Sequence, residues 1–128
     1  MAAEKQKYAF SVSVQNAYLT DQLSVEEHRY VFAYTVTITN IGEVAAQLIS
    51  RHWIITDDDG KVNEVKGLGV VGAQPLLQPN EQFEYTSGTS LNTSSGSMHG
   101  SYQIVAEDGI AFEALIAPFT LAVPRVLH

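Results

Sequence analysis

Cysteine is absent from the 128-residue chain, which excludes disulfides, thiolate catalysis and cysteine-based metal sites. This absence is typical of a protein in a reducing compartment. Basic residues are also scarce, because seven lysines and arginines stand against fourteen aspartates and glutamates, for a formal charge of −7. Such a charge repels phosphate backbones and anionic lipids, so we predict that nucleic acid is not a partner.

Long apolar runs are missing as well. No stretch approaches the ~20 apolar residues that a membrane helix needs, and no apolar run of signal-peptide length follows the lysines near the amino terminus. We therefore expect a cytoplasmic protein without direct membrane insertion. The 45% hydrophobic and 16% charged fractions argue against disorder and predict one globular domain over residues 1–128.

The sequence also lacks the apolar spacing of about 3.6 residues that an amphipathic helix shows. Apolar residues instead recur at every second position, as in a strand. Apolar residues alternate over 8–14 and again over 30–38, where aromatic and β-branched side chains favour a central strand. Asp59-Gly60 and Asp108-Gly109 each predict a tight hairpin. Loops are expected at 21–28 and 89–96, and a separate last strand at 119–123. The pattern predicts an all-β sandwich of about seven to nine antiparallel strands.

The most informative segment is a glycine-rich connection over residues 67–79. Its Gly-x-Gly-x-x-Gly spacing resembles a dinucleotide fingerprint, but Pro75 and Pro79 forbid the helix which that site requires. Two interpretations remain: a loop whose free N–H groups bind an anion, or a glycine-permitted crossing between the two sheets. Its apolar residues, if exposed, would form a partner site. The candidate anion- or partner-binding residues are Gly67, Gly69, Val70, Val71, Gly72, Gln74 and Pro75.

Arg51 and Trp53 form a second candidate site. Strand alternation places these two side chains on one face of the predicted third strand and His52 on the other. One interpretation is a buried tryptophan beside a solvated arginine, and the other is a cationic and aromatic contact surface near the glycine segment.

No catalytic or metal-binding constellation is recognisable. Asp57, Asp58 and Asp59 resemble the start of a calcium loop, but the spacing of oxygen ligands stops at Gly60. No two of the four histidines, at positions 28, 52, 99 and 128, lie within five residues of one another, and no serine sits in a nucleophile elbow. We therefore expect no enzymatic activity, no cofactor and no metal site.

Several motifs, in order, resemble the bacterial ApaG family. They span nearly the whole chain and read RYVFAYTVTI at 29–38, GVVGAQP at 69–75, YTSG at 85–88, GSMHGSY at 96–102 and LAVP at 121–124. The resemblance implies an immunoglobulin-like or fibronectin type III-like sandwich. Asn80 stands where the family more often has glycine, a change that left-handed asparagine tolerates.

The resemblance also implies a function. ApaG-type proteins have no established enzymatic activity, are linked genetically to cobalt and magnesium efflux or resistance, and are encoded beside a diadenosine tetraphosphate hydrolase. Similar domains occur in eukaryotic F-box and DNA-polymerase-interacting proteins. The leading expectation is a protein-interaction or adaptor domain with an unidentified protein partner. The alternative is a sensor of pyrophosphate or diadenosine tetraphosphate, with a phosphate-containing ligand at Gly67, Gly69 and Gly72. Homodimer formation through unpaired edge strands is a further expectation.

Overall fold

The computed structural model describes residues 6–19 and 29–124. The loop predicted at 21–28, together with His28 and His128, lies outside the described residues.

Eight strands make up the regular structure of the described residues. They are β1 (Phe10–Leu19), β2 (Tyr30–Asn40), β3 (Ala46–Asp57), β4 (Val62–Leu68), β5 (Leu76–Leu77), β6 (Gln82–Leu91), β7 (Ser95–Ala106) and β8 (Ala111–Ala122). All pairings between them are antiparallel, which confirms the predicted all-β class and strand number.

The strands form two sheets that face each other. The first has the order β1-β2-β6, so β2 is central as its composition predicted. The second has the order β4-β3-β7-β8, and the short β5 also pairs with β3. Because β5 pairs at Ala46 and Gln47 whereas β4 pairs from Ser50 to Thr56, β4 and β5 follow one another along the same edge of β3.

The core lies between the sheets and is built by strand alternation. In β2 every second side chain, from Phe32 to Ile38, points inward and is buried. The largest fully buried side chains opposite or around them include Trp53, Tyr102, Leu48, Met98, Ile104 and Leu121.

Both predicted hairpins are confirmed. Gly60 and Gly109 have φ of 81° and 90°, and they close the β3–β4 and β7–β8 turns. The loop predicted at 89–96 is present but shorter, at 92–94, because β6 runs to Leu91 and β7 begins at Ser95. The separate last strand is wrong. β8 continues through Pro118, which is tolerated because β8 is an edge strand.

The two long sides of the sandwich differ. On one side β1 lies against β8, and the Asn16 side chain donates to the Thr120 carbonyl at 3.2 Å. On the other side β4 and β6 border a groove that holds cavities of about 250 and 230 Å³. Both candidate sites from the sequence lie on this open side.

Candidate functional site

The glycine-rich segment stays on the edge of β3. After β4 ends at Leu68, the Gly69 N–H donates to the Ile49 carbonyl at 2.8 Å, and the Pro75 carbonyl accepts the Leu48 N–H at 3.0 Å. The crossing to the other sheet comes only at residues 78–81, between β5 and β6. The glycines at 67–72 therefore do not make the crossing that was one of the two interpretations of this segment. The positive φ expected of Asn80, 73°, is found within the actual crossing.

A two-residue turn forms the tip of the segment. Val70 and Ala73 exchange both backbone hydrogen bonds, at 2.8 and 2.9 Å, around Val71 and Gly72. These two central residues have φ of 47° and 80°, and positive φ at both is the signature of a type I′ hairpin turn. Glycine adopts this conformation readily, but a β-branched residue in it is an outlier. Val71 thus holds a strained backbone at the tip.

The apolar residues of the segment divide between core and surface. Val70 is fully buried, whereas Leu68, Val71 and Leu76 are 75%, 67% and 56% exposed. Leu68 and Leu76 flank the turn in sequence and Val71 lies at its tip. We call these three exposed side chains the turn patch.

Arg51 joins the two candidate sites predicted from the sequence. Its Nη1 donates to the carbonyls of Leu68 and Gly69, both at 2.9 Å. A Cβ atom at position 67 would lie 2.8 Å from Nη1 and 2.9 Å from Cζ, so glycine is what lets the guanidinium cross β4 here. No carboxylate lies within ion-pair distance of Arg51 in the described part of the chain.

Hydrogen bonds of Gln74 and Pro75 hold the part of the segment that follows the turn against β3. The Gln74 amide donates to the Ile49 carbonyl at 2.9 Å, and the Gln74 carbonyl accepts the Gln47 amide at 3.0 Å. The ladder of β3 shifts register between Leu48 and Ser50, so this bulge releases the Ile49 carbonyl to the segment. The described contacts of Gln74 and Pro75 serve to position the turn.

Trp53 belongs to the core. It is 2% exposed, and its ring centroid lies 5.3 Å from Tyr34, 6.4 Å from Tyr102 and 6.0 Å from Phe119. Its Nε1 has no hydrogen-bond partner within the described residues. Trp53 and Arg51 do line one wall of the 250 Å³ cavity, together with Ser87 and Thr89 of β6. The alternation predicted for these two residues is therefore present, with the indole beneath the arginine rather than on the surface.

A buried tyrosine pair joins β6 of one sheet to β7 of the other. The hydroxyl groups of Tyr85 and Tyr102 are 2.5 Å apart. Burial raises the pKa of Tyr85 to about 12, against the opposing effects of the Tyr102 hydroxyl and the Arg51 charge. Burial also raises the pKa of Tyr102 above its ordinary value. Both hydroxyls are neutral near pH 7, so neither is poised as a general base.

The acidic run that resembles a calcium loop forms an ordinary turn. Asp57 Oδ1 accepts the backbone N–H groups of Asp59 and Lys61, at 2.9 and 3.0 Å, and the Asp58 carboxylate accepts the Ser95 hydroxyl. Over residues 6–19 and 29–124, no group of three or more histidine, aspartate or glutamate side chains could hold a metal ion. The same residues contain no helix that could cross a membrane.

Sequence reasoning missed two features of this region. One is the strain at Val71, since its valine has no turn propensity and only the glycine beside it signals a turn. The other is the free edge of β4, which among the described residues pairs with β3 alone and has six of its seven residues exposed. In VNEVKGL the apolar residues recur at every third position rather than every second, so the sequence carries no alternation signal for this strand.

Comparison with known proteins gives a consistent result. The sequence model of a family described as the ApaG domain matches residues 20–106. "Protein ApaG" of Methylobacillus flagellatus is 66% identical over 122 residues, covering 95% of this chain and 96% of that protein. "Protein ApaG" of Thiobacillus denitrificans is 64% identical over 126 residues, covering 98% and 99%. The crystal structure of a putative ApaA protein from Bordetella pertussis superimposes with a TM-score of 0.91 at 55% identity, covering 96% of this chain and all of that one.

Proposed function

The chain belongs to the ApaG domain family, and on that premise we propose that it is a non-enzymatic binding module that engages a protein partner through the turn patch. The names of its relatives assign no reaction. The proposal places the module in the cytoplasm as an adaptor.

The conformation of Val71 is the observation that carries the proposal. The left-handed region costs an ordinary L-residue about 1–2 kcal/mol, and asparagine before Gly72 would relieve much of that cost. Val71 is 67% exposed, so burial in the core does not explain an apolar residue at this position. Strain held at an exposed apolar tip is typical of a recognition site, where contact with a partner offsets the local cost.

The test compares three forms of the immobilised protein in extracts of its own cells. We expect the wild type to retain a partner in stoichiometric amount and Val71→Asn to lose it, because the apolar tip is gone while the turn is preserved. Leu115→Ser is the matched control, since Leu115 is 76% exposed on β8, away from the patch. Equal retention by wild type and Val71→Asn, or no stoichiometric partner at all, would count against the proposal.

The family resemblance implies an association with cobalt and magnesium efflux or resistance, and we include that association in the same proposal. In this proposal the protein partner connects the module to efflux. Direct metal binding is the competing explanation. A thermal unfolding midpoint that rises with CoCl₂ or MgCl₂, in proportion to the logarithm of metal concentration, would favour direct binding over the adaptor explanation.

A second function, binding of a phosphate-containing small molecule, is favoured by the free amides of the turn. The N–H groups of Val71 and Gly72 have no acceptor among the described residues, and the Arg51 charge lies behind the neighbouring carbonyls. Such exposed amides are the donors that an anion-binding loop presents.

Calorimetry with pyrophosphate, ATP and diadenosine tetraphosphate tests this second function. Val71→Asn keeps both amides, so anion binding through them should persist in that variant while protein capture is lost. Heats that stay at the dilution baseline for all three compounds would exclude the sensor.

A further inference from the structure

The outer edge of β4 is one of the two ends of the five-stranded sheet, and the other end, β8, lies against β1. β4 lies at the end of the strand order, and no strand among the described residues covers its outer side. Val62, Val65 and Leu68 are 55%, 41% and 75% exposed along it. An exposed apolar edge strand is a template for pairing with another strand.

The backbone of β4 offers its hydrogen-bonding groups in a defined order. Near the two ends of the β3–β4 ladder, Asp57 N–H bonds Lys61 O and Gly69 N–H bonds Ile49 O. Because hydrogen-bonded and non-hydrogen-bonded pairs alternate in an antiparallel ladder, the residues turned toward β3 are Asn63, Val65 and Gly67. The groups left at the free edge belong to Val62, Glu64, Lys66 and Leu68.

We propose that this edge pairs with β4 of a second copy of the chain, antiparallel, about a two-fold axis at Val65. In this register Glu64 lies opposite Lys66 of the partner subunit, and Val62 lies opposite Leu68 of the partner subunit. Each residue with free backbone groups then faces another with free backbone groups, and all seven residues of β4 are paired. The result is one continuous sheet through both copies.

Charge selects this register over its neighbours. Two-fold antiparallel pairing requires a residue on the axis if the free backbone groups are to meet. An axis at Glu64 places two glutamates opposite each other, and an axis at Lys66 places two lysines opposite each other. Like charges directly opposite are destabilising, whereas opposite charges and apolar pairs stabilise a ladder. The axis at Val65 gives two Glu–Lys pairs flanked by two Val–Leu pairs, so β4 is complementary to itself.

This dimer is separate from the proposed partner surface except at Leu68. The variants that test it change residues 62, 64, 65 and 66, which are outside the turn patch. Loss of the dimer with partner capture intact, or the reverse, therefore tells the two proposals apart. A single strand pair buries little surface, so we expect a dimer that dissociates on dilution.

Sedimentation over a range of concentrations tests the charge pairing. We expect Glu64→Lys and Lys66→Glu each to weaken the dimer roughly tenfold or more, because each puts like charges opposite one another. An equimolar mixture of the two variants should form a heterodimer, and the double variant should regain the homodimer. Glu107→Lys, the same change in the exposed turn between β7 and β8, is the control.

The register is tested by crosslinking, which the absence of native cysteine makes unambiguous. Val65→Cys places two thiols opposite each other at a non-hydrogen-bonded pair, about 4.5 Å apart between Cα atoms and within disulfide range. Val62→Cys is the matched control, since its two copies would lie about 20 Å apart, six residues along the ladder. We expect rapid disulfide dimers for the first variant only.

Three results would overturn the proposal: a wild type that stays monomeric at millimolar concentration, a Glu64→Lys variant as dimeric as wild type, or equal crosslinking at positions 62 and 65. Circular dichroism of each variant at low concentration separates a lost dimer from a lost fold.

Discussion

Replacing Val71 by asparagine should make the protein more stable, although it removes an apolar side chain. The φ of 47° costs an ordinary L-residue about 1–2 kcal/mol, and asparagine is among the residues that tolerate it. Val71 is 67% exposed, so the burial lost with its side chain costs roughly 0.5 kcal/mol. The net gain is about 1 kcal/mol, which for a chain of 128 residues raises the unfolding midpoint by about 4 °C.

Differential scanning calorimetry with urea unfolding measures this gain directly. Val105→Asn is the control, because Val105 is 38% exposed in the central strand β7 and its φ is not positive. There the same change should lower stability, since valine favours a strand more than asparagine does. A Val71→Asn protein that melts at or below the wild-type temperature would refute the assignment of strain to the turn. The argument that valine is kept at position 71 for partner binding would then fail as well.

Two other predictions concern buried polar groups. Replacing both Tyr85 and Tyr102 by phenylalanine should reduce the alkaline loss of stability: burial raises the pKa of Tyr85 from 10.0 to about 12, so its stabilisation is complete below pH 10 and is lost as pH rises through about 12. Urea unfolding at pH 8 and pH 11 checks this, and an equal alkaline loss in both proteins would contradict it. Asn40→Ala should cost about 3 kcal/mol, because the 1% exposed Asn40 side chain donates to the carbonyls of Val44 and Leu77 and accepts the Gly42 N–H. A loss below about 1 kcal/mol in urea unfolding would show that water replaces these bonds.

The glycine-rich segment shows how far sequence reasoning extends for the site. Its prolines correctly excluded a helix, and its apolar residues correctly raised the question of exposure. The division between buried Val70 and exposed Val71 could not be predicted, because both are valines in one short run and only the folded turn places Val71 at its tip. The reason for glycine at position 67 was also inaccessible, since it depends on an arginine sixteen residues earlier.

The sequence by itself determined the class of fold, both Asp-Gly hairpins and the shared face of Arg51 and Trp53. These follow from side-chain alternation and turn preference, which act over a few neighbouring residues. The tertiary structure alone decided which edge received the glycine segment, which valine bears the strain and which apolar strand edge was left exposed. The edges are set by strand pairings between residues far apart in sequence, such as Ala46 with Leu77, and the strain is set by the turn closed between Val70 and Ala73. Side-chain alternation and turn residues specify where a strand forms, whereas tertiary packing specifies which strand or loop pairs with it.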